Sequence, residues 1–415
     1  MAVMQYGTGS SVRLELAEGA LPVECGFPRG APIEDPAAAL AEVLAAPLDY
    51  PPLARSTTPG DRVVLALGHG LPQADRIAAV VIQSLVAAGV AADGITVLRT
   101  QEDAGEGRGD PRRLLDGEVQ PRITLATHQP KDRNELAYLA ASSAGEPILL
   151  SRAIHDADLV LPIGCLHDRS AAGYWGIHGT IFPALSDQRT LRRYRSLGAL
   201  DTAGDYRKAL VHDVEQVAWL LGITFTIQLV PGAGGSVLHV LAGQSDAVAR
   251  RGHELFRAAW GSSVPEEAEL VVAAVEGDAG EQTWENFGRA LEVATALVEE
   301  DGAIAVCCEL AAEPGPAVQQ MMGARSRDAA LRRIRKKKPP DALVAAQLAR
   351  ALDRGKVYLL SRLEASQVEE LDMIHVAAPD ELTRLARRHR SCVALSNAQR
   401  AMVTTEQLPL SQDLY

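Results

Sequence analysis

The sequence predicts an α/β protein of two domains, with mostly parallel sheets and a cleft between the domains. The chain has 415 residues, more than a single hydrophobic core usually serves. From residue 62 onward, continuous apolar runs alternate with amphipathic segments, as strands and crossover helices do in a parallel sheet covered on both faces. The same alternation restarts near residue 269 after a polar connection, which indicates a second domain.

The first elements follow a segment rich in Gly and Pro. That segment holds one predicted helix, DPAAALAEVLAAPL, with Asp35 as its N-cap and Pro36 at its first position. The strand DRVVLALG, the helix ADRIAAVVIQSLVAAGV and the strand GITVLRT come next. RITLAT is predicted to be a strand, ELAYLAASS a turn of helix, and ADLVLPIG a buried strand.

The domain boundary is predicted between Ser262 and Pro265. It follows the helix VHDVEQVAWLLG, the strands TFTIQLVPG and SVLHVLAG, and the helix ARRGHELFRAAW. The segment SSVPEE is predicted to be a linker. We therefore assign residues 1–262 to an N-terminal domain and 265–400 to a C-terminal domain. Residues 401–415 form a tail that could return to the N-terminal domain.

The second domain repeats the pattern of the first. ELVVAAVEG, GAIAVCCEL, KVYLLS and SCVALS are predicted strands, and helices are predicted over 283–300, around 327–352 and at PDELTRLARRHR. The strand GAIAVCCEL contains adjacent cysteines, Cys307 and Cys308. An apolar run in a chain with no CxxC pair favours buried, reduced cysteines over a disulfide or a metal site.

Composition limits the function classes. The formal net charge of −12 argues against a nucleic-acid binder, which needs a basic surface. No apolar stretch is long enough to span a membrane, and the N-terminus lacks the basic and apolar regions of a signal peptide. We expect a cytoplasmic protein with a small-molecule partner and no nucleic-acid or membrane partner. A homo-oligomer stays open.

A glycine-rich loop, GYWGIHGTIFP (Gly173–Pro183), follows the buried strand ADLVLPIG. Ligands of open α/β sheets bind outside the carboxyl ends of strands. Glycines there allow backbone N–H groups to approach an anion closely. Gly173, Gly176 and Gly179 are therefore candidate ligand-binding residues.

The order of segments resembles the nickel-dependent lactate racemase (LarA-like) family over most of the chain. YGTGSSVRLEL, THQPKDRNELAYLAASSAGEPILLSRAIHDADLVLPIG and the glycine-rich loop resemble the N-terminal domain of that family. EGDAGEQTWENFGRALEVATALVEEDGAIAVCCEL resembles its second domain. The resemblance implies a two-domain α/β fold and racemisation of a 2-hydroxy acid. It also implies a nickel-pincer nucleotide attached to a lysine, with histidines as acid/base and nickel ligand.

This sequence departs from the family pattern at those positions. Gly179 stands at the position of the lysine, Arg169 at that of the acid/base histidine, and Arg195 at that of the nickel ligand. In the second domain, Asn286 and Arg289 fall in the stretch that resembles the family's Tyr-Gln-x-x-Lys. Two turns differ as well, because LGHGLPQ lacks the family's Asp and Arg, and LRTQEDAGEGRGD lacks its histidine.

These differences remove the chemistry that the resemblance implies. Glycine has no side chain to attach a cofactor, and arginine stays protonated, so it neither abstracts a proton at neutral pH nor ligates a metal. We expect no cofactor and no metal. Arginine does clamp carboxylates and phosphates. The predicted ligand-binding set is Arg169, Gly173, Gly176, Gly179, Arg195, Asn286 and Arg289.

Three histidines are candidate catalytic residues. His167 and His178 flank the glycine-rich loop, and His69 follows the first strand of the repeat. A loop histidine is more often a hydrogen-bonded polar group than a catalytic one, so each has a structural alternative.

Three functions stay open at the sequence level. The first is a lactate racemase-like protein with a degenerate nickel-pincer site that binds a small anion, a carboxylate or a phosphate, in the interdomain cleft. The second is an active racemase or epimerase of a 2-hydroxy acid or sugar acid, with relocated catalytic residues. The third is a non-catalytic scaffold or partner subunit. Whether the chain is an enzyme is thus undecided by its residues.

Overall fold

The computed structural model describes residues 2–16, 22–142, 144–169, 171, 173–200 and 204–406. Its strands are β1 (Ala2–Tyr6), β2 (Ser10–Leu14), β3 (Val23–Cys25), β4 (Val63–Leu67), β5 (Ile95–Arg99), β6 (Thr124–Thr127), β7 (Leu136–Ala141), β8 (Pro147–Ser151), β9 (Leu159–Cys165), β10 (Phe225–Pro231), β11 (Val237–Gln244), β12 (Gly261–Val264), β13 (Ala268–Ala274), β14 (Val298–Cys307), β15 (Lys356–Leu360), β16 (Ile374–His375), β17 (Cys392–Leu395) and β18 (Met402–Thr405). Its α-helices are α1 (Pro36–Ala45), α2 (Ala74–Ala87), α3 (Gln101–Gly105), α4 (Arg152–His155), α5 (Gln188–Tyr194), α6 (Asp205–Leu220), α7 (Ser245–Trp260), α8 (Trp284–Thr295), α9 (Pro316–Gln319), α10 (Arg327–Lys337), α11 (Ala342–Arg354), α12 (Ala365–Glu370) and α13 (Pro379–Ala386).

The chain forms two compact units. The N-terminal unit comprises the described residues within 30–194 and 201–256, and the C-terminal unit those within 1–29, 195–200 and 257–415. The N-terminal segment therefore belongs to the same unit as the C-terminal half of the chain. The predicted boundary at 262–265 lies close to the crossing between residues 256 and 257, and the assignment of residues 1–262 to one family domain stays a prediction.

A six-stranded sheet organises the N-terminal unit, with the order β11-β10-β9-β4-β5-β6. All neighbours are parallel except β10 and β11, which form an antiparallel hairpin. The central strand β4 shows why the apolar runs are continuous. Val63, Leu65 and Leu67 pack into one core, while Val64 and Ala66 pack into another on the opposite face. A strand buried on both faces needs apolar residues at every position.

The C-terminal unit contains a second six-stranded sheet, parallel throughout, with the order β16-β15-β14-β13-β17-β3. Alternate residues of β13 again face two cores, with Val271 on one side and Val272 on the other. The β1-β2 hairpin packs into the second of these cores. The predicted fold class, α/β with mostly parallel sheets in two bodies, is confirmed.

Most predicted elements form, and their ends follow the expected signals. Asp35 caps α1 by accepting from the amides of Ala37 and Ala38, and Pro36 takes the first helical position. Gly89, with a φ of 96°, ends the turn after α2. Cys307 and Cys308 are buried as predicted, and burial raises the pKa of Cys308 to about 12.

Two local predictions are wrong. ELAYLAASS forms the strand β7 rather than a turn of helix, and it pairs with β8 in an antiparallel ribbon. Its alternation of buried and exposed residues is weak, and its leucines and alanines favour helices, so tertiary pairing decides the outcome. The predicted linker begins with the strand β12, which pairs in parallel with β18. β18 starts the predicted tail, whose residues 407–415 lie outside the described part of the chain.

Among the described residues, no helix is both long enough and apolar enough to cross a membrane.

Substitution of Gly26 by alanine is expected to lower the free energy of unfolding by about 2 kcal/mol. Gly26 has a φ of 81°, and an added Cβ atom would lie 1.9 Å from the carbonyl oxygen of Ser396. Gly323→Ala, in the same unit, is the matched control, because Gly323 also has a positive φ, of 59°, but no atom within 4 Å of an added Cβ. Urea titrations of both variants measure the difference, and equal losses would show that the backbone conformation alone, not the contact with Ser396, requires glycine.

Candidate functional site

In the sheet of the N-terminal unit, the order in which strands are added reverses between β4 and β9. From β4 the chain adds β5 and β6 on one side, and β9 and β10 then extend the sheet on the other. A crevice outside the carboxyl ends of the strands is expected at such a switch point. Gly68 and His69 leave β4 there, and the segment 166–169 leaves β9. The amide of Gly68 donates to the carbonyl of Ile163 at 2.8 Å, so the two exits begin side by side.

His69 is paired with Asp103 at this switch point. The distance from His69 Nδ1 to Asp103 Oδ1 is 3.2 Å. The same carboxylate accepts a hydrogen bond from the Thr100 hydroxyl at 2.7 Å and one from the amide of Gly70 at 3.1 Å. Asp103 is 5% exposed, so this nearly buried carboxylate is held by three donors, two from the segment after β4 and one from the residue after β5.

Asp103 is ionised at neutral pH. Burial raises the pKa of its carboxyl, but the hydrogen bond and charge of His69, with the bonds from Thr100 and Gly70, outweigh burial and bring the pKa below its usual value. The stretch Thr-Gln-Glu-Asp is a helix-start signal that marks this residue, because Thr100 caps α3 by accepting from the amide of Asp103. The sequence prediction did not include Asp103, because the family resemblance places a histidine in this turn.

The aromatic residues of the glycine-rich loop are part of the core. Tyr174, Trp175 and Phe182 are buried. The ring centroids of Trp175 and Phe182 lie 4.8 and 5.2 Å from that of Tyr194, edge to face in both pairs. These rings therefore fix the loop instead of offering a stacking surface to a ligand.

Arg207 of α6 holds the same loop from the other side. Its guanidinium donates to the carbonyls of Tyr174 at 3.2 Å and Arg169 at 3.3 Å. It also lies over the ring of Trp175, 4.7 Å from the centroid. Because Arg207 is itself buried, its charge-assisted hydrogen bonds link the loop to the segment after β9 in a region shielded from water.

His178, a predicted catalytic residue, lies in the short 3₁₀ turn Ile177–Thr180 and is buried. Burial lowers the pKa of its imidazole to about 4, against a smaller opposing effect of Asp246. Its Nε2 lies 3.6 Å from Glu215 Oε2, beyond hydrogen-bond distance, and a neutral ring forms no ion pair there. Nδ1 has no hydrogen-bond partner among the described residues.

Thr180 brings the glycine-rich loop onto the ends of β4 and β9. A Cβ atom added to Gly164 would lie 2.8 Å from Thr180 Oγ1, and one added to Gly68 would lie 3.3 Å from it. Both glycines therefore allow the loop to approach the strand ends closely. At Gly179 an added Cβ would lie 3.2 Å from the Cβ of Trp175, so a longer side chain would start against the buried tryptophan.

The remaining predicted residues of the N-terminal unit surround this loop. Arg169 is exposed, whereas His167 is half-buried, with its ring centroid 5.5 Å from that of Tyr174. Gly173 and Gly176 have φ values of 82° and 78°, which an L side chain rarely adopts. Glycine at these two positions is therefore explained by the backbone turn. Ligand binding by the amides of Gly173 and Gly176 stays a prediction.

Arg195, Asn286 and Arg289 belong to the C-terminal unit. Arg289 donates to Glu285 Oε1 at 2.7 Å and to the Asn286 side chain at 3.3 Å. Asn286 in turn donates to Glu281 Oε2 at 3.0 Å. Both side chains are thus engaged with carboxylates of their own unit.

The sheet of the C-terminal unit has its own switch point, between β13 and β17. Asn397 Nδ2 donates to Glu276 Oε1 at 3.0 Å, and Gln399 Nε2 donates to the carbonyl of Glu276 at 2.7 Å. Among the described residues, neither Asn397 Oδ1 nor Gln399 Oε1 has a hydrogen-bond partner. Burial raises the pKa of Glu276, against hydrogen bonds from Asn397. Both oxygens are buried, and these residues were not predicted from the sequence because SNAQR matches no known motif.

No group of three or more His, Cys, Asp and Glu side chains in the described ranges is placed to hold a metal ion.

The family model of the lactate racemase N-terminal domain matches residues 6–203. Over these residues the chain is LarA-like. The resemblance inferred from the sequence is thereby confirmed. No curated protein sequence matches this LarA-like chain.

Two solved structures share the fold of this LarA-like protein. The lactate racemase apoprotein from Thermoanaerobacterium thermosaccharolyticum is 14% identical, with a TM-score of 0.77 over 97% of this chain and 99% of that one. A protein from Thermotoga maritima is 11% identical, with a TM-score of 0.65 over 89% of this chain and 98% of that one. At these identities the likeness concerns the fold alone.

Proposed function

We propose that this LarA-like protein binds a small anion, a carboxylate or a phosphate, at the β4/β9 switch point, without a tethered nickel-pincer nucleotide. The observation that carries the proposal is the set of side chains at the two exits. Arg169 follows β9 and is exposed, and His69 follows β4 with its ring 42% exposed. Arginine and histidine are common partners of carboxylates and phosphates.

The residues present do not fit the nickel-pincer nucleotide. Gly179, at the position that the resemblance assigns to the lysine, offers no amine, and its Cβ direction leads to Trp175. Arg169 and Arg195, at the other two positions, have no lone pair for a metal or a proton. His178, the nearest histidine along the chain, is buried beside the loop core.

Loss of the tether is tested by intact mass and nickel analysis of the protein expressed in a host that makes the cofactor. We expect the mass of the unmodified chain and no stoichiometric nickel. A mass increase with one nickel per chain would contradict the proposal, and racemisation of 2-hydroxy acids would then be the assay to run.

Anion binding is tested by thermal shift and calorimetry with pyruvate, lactate, glucuronate, glyceraldehyde 3-phosphate and inorganic phosphate. We expect at least one carboxylate or phosphate to bind, and Arg169→Ala to weaken binding about 10-fold, a loss typical of a charged hydrogen bond. Arg62→Ala is the matched control, because Arg62 precedes β4 at the opposite edge of the sheet and pairs with Asp158. Equal weakening by both variants would indicate a general effect of charge rather than a site.

A further inference from the structure

The carboxylate of the His69–Asp103 pair is buried and held by further hydrogen bonds, unlike that of a second His–Asp pair in the same unit. His155 Nδ1 lies 2.8 Å from Asp156 Oδ1, and its ring is 42% exposed, as is that of His69. The two carboxylates differ, however, since the side chain of Asp156 is 47% exposed and that of Asp103 only 7%. Only Asp103 is also held by a hydroxyl and an amide, among the hydrogen bonds of the described residues.

The buried carboxylate determines the state of the exposed ring. Asp103 accepts a hydrogen bond from Nδ1, which places the lone pair of the neutral imidazole on Nε2. An ionised carboxylate behind the ring also stabilises the imidazolium that forms when Nε2 takes a proton. Thr100 and Gly70 restrict the carboxylate, so the ring is oriented before any ligand arrives.

We propose that His69 is a general acid/base that enolises the bound anion, with Asp103 as its positioning residue. The inference rests on the proposed function, because Arg169 and the switch point supply the anion site. The ligand class is a small carboxylate or phosphate ester that carries a carbonyl next to a C–H group, such as an oxo acid or a sugar acid or phosphate. Proton transfer of this kind needs no hydride acceptor, which agrees with the loss of the tether position.

The step balances without a co-reactant. Nε2 takes the proton from the carbon next to the carbonyl, the C–H bond breaks, and its electron pair moves into the carbonyl to give an enolate. The imidazolium then returns the proton to the same carbon, which exchanges the hydrogen or inverts the centre. In an enediolate it can instead protonate the neighbouring carbon while the hydroxyl proton passes from one oxygen to the other, which isomerises the compound.

Deuterium exchange in D₂O, followed by NMR, tests the step directly. The probes are the three compounds from the binding test that carry a carbonyl next to a C–H group, pyruvate, glucuronate and glyceraldehyde 3-phosphate, each with wild-type protein. We expect exchange of the hydrogen next to the carbonyl in at least one bound probe. His69→Gln should slow exchange at saturating probe by at least about 100-fold, as loss of a general base does, and any loss of affinity should be much smaller than that. His155→Gln should leave it unchanged.

Asp103→Asn separates positioning from structure. We expect slower exchange with unchanged affinity, because the amide can still contact the ring but does not stabilise the imidazolium. Asp103→Glu retains the charge, so it should exchange faster than Asp103→Asn. It also replaces that variant as the test if Asp103→Asn folds poorly.

The outcomes distinguish the two proposals. Binding without exchange above the protein-free rate would overturn the acid/base role and leave anion binding intact. Exchange that survives in His69→Gln would assign the proton transfer to another residue. Absence of binding for every probe would overturn both.

Discussion

Substitution of Arg207 by alanine is expected to lower the free energy of unfolding by about 3 kcal/mol, since it leaves a buried carbonyl acceptor without its donor and removes a cation–π contact. The buried guanidinium bonds the carbonyls of Arg169 and Tyr174 and covers the ring of Trp175. Both hydrogen bonds come from the same guanidinium nitrogen, Nη2. The glycine-rich loop should become mobile, with increased amide exchange over the 3₁₀ turn Ile177–Thr180.

Two variants make this result specific. Lys208→Ala removes a neighbouring cation of the same helix, exposed and paired only loosely with Asp205 at 3.5 Å, and should leave stability unchanged. Arg207→Met retains the apolar stem over Trp175 but no donor, so it should recover part of the loss. Urea titrations followed by fluorescence measure all three, and an unaltered midpoint for Arg207→Ala would show that the loop is held by its aromatic residues alone.

The second large effect is a loss of stability in acid that originates at His178. Burial lowers the pKa of its imidazole from 6.5 to about 4, so the unfolded chain binds a proton at His178 more readily than the folded protein does. The stabilisation from the neutral ring is present above pH 6.5 and is lost as the pH falls through about 4. Because one pKa unit corresponds to about 1.4 kcal/mol, the contribution is about 3 kcal/mol.

The free energy of unfolding measured from pH 7 to pH 4 checks this sign and size. His178→Gln removes the titrating ring, so its stability should fall less steeply below pH 6.5 than that of the wild type. His155→Gln, at an exposed histidine, is the control and should follow the wild type. His128, whose pKa is lowered by burial, acts in the same direction in all three proteins and cancels from the comparison. Parallel curves for wild type and His178→Gln would mean that folding does not shift the pKa of His178.

The fold was predictable from the sequence wherever burial acts on both faces of an element. The continuous apolar runs of β4 and β13 left one solution, a strand inside a covered parallel sheet. β7 was not predictable, because its neighbour β8 supplies the pairing that overrides a helical composition. Strand β12 was missed for a similar reason, since its partner β18 lies far along the chain.

The candidate site was predictable only in part. His69 and Arg169 could be predicted as site residues, because the sequence itself shows that each follows a strand. The role of Asp103 could not, since it depends on the distance between two loops that the sequence separates by about thirty residues. The burial of His178 was also hidden, because a loop rich in glycine gives no sign that Tyr194 and Arg207 will cover it.

The parallel pairing of β17 with β3 has a consequence for synthesis on the ribosome. The first of these strands spans Val23–Cys25 and the second spans Cys392–Leu395, so the sheet of the C-terminal unit gains its edge strand only after residue 395 has been synthesised. The N-terminal unit, which lies within 30–256, can fold long before that. Strand β3 must therefore wait without its partner β17 while the intervening body folds, so this early segment is among the last to be placed in the sheet.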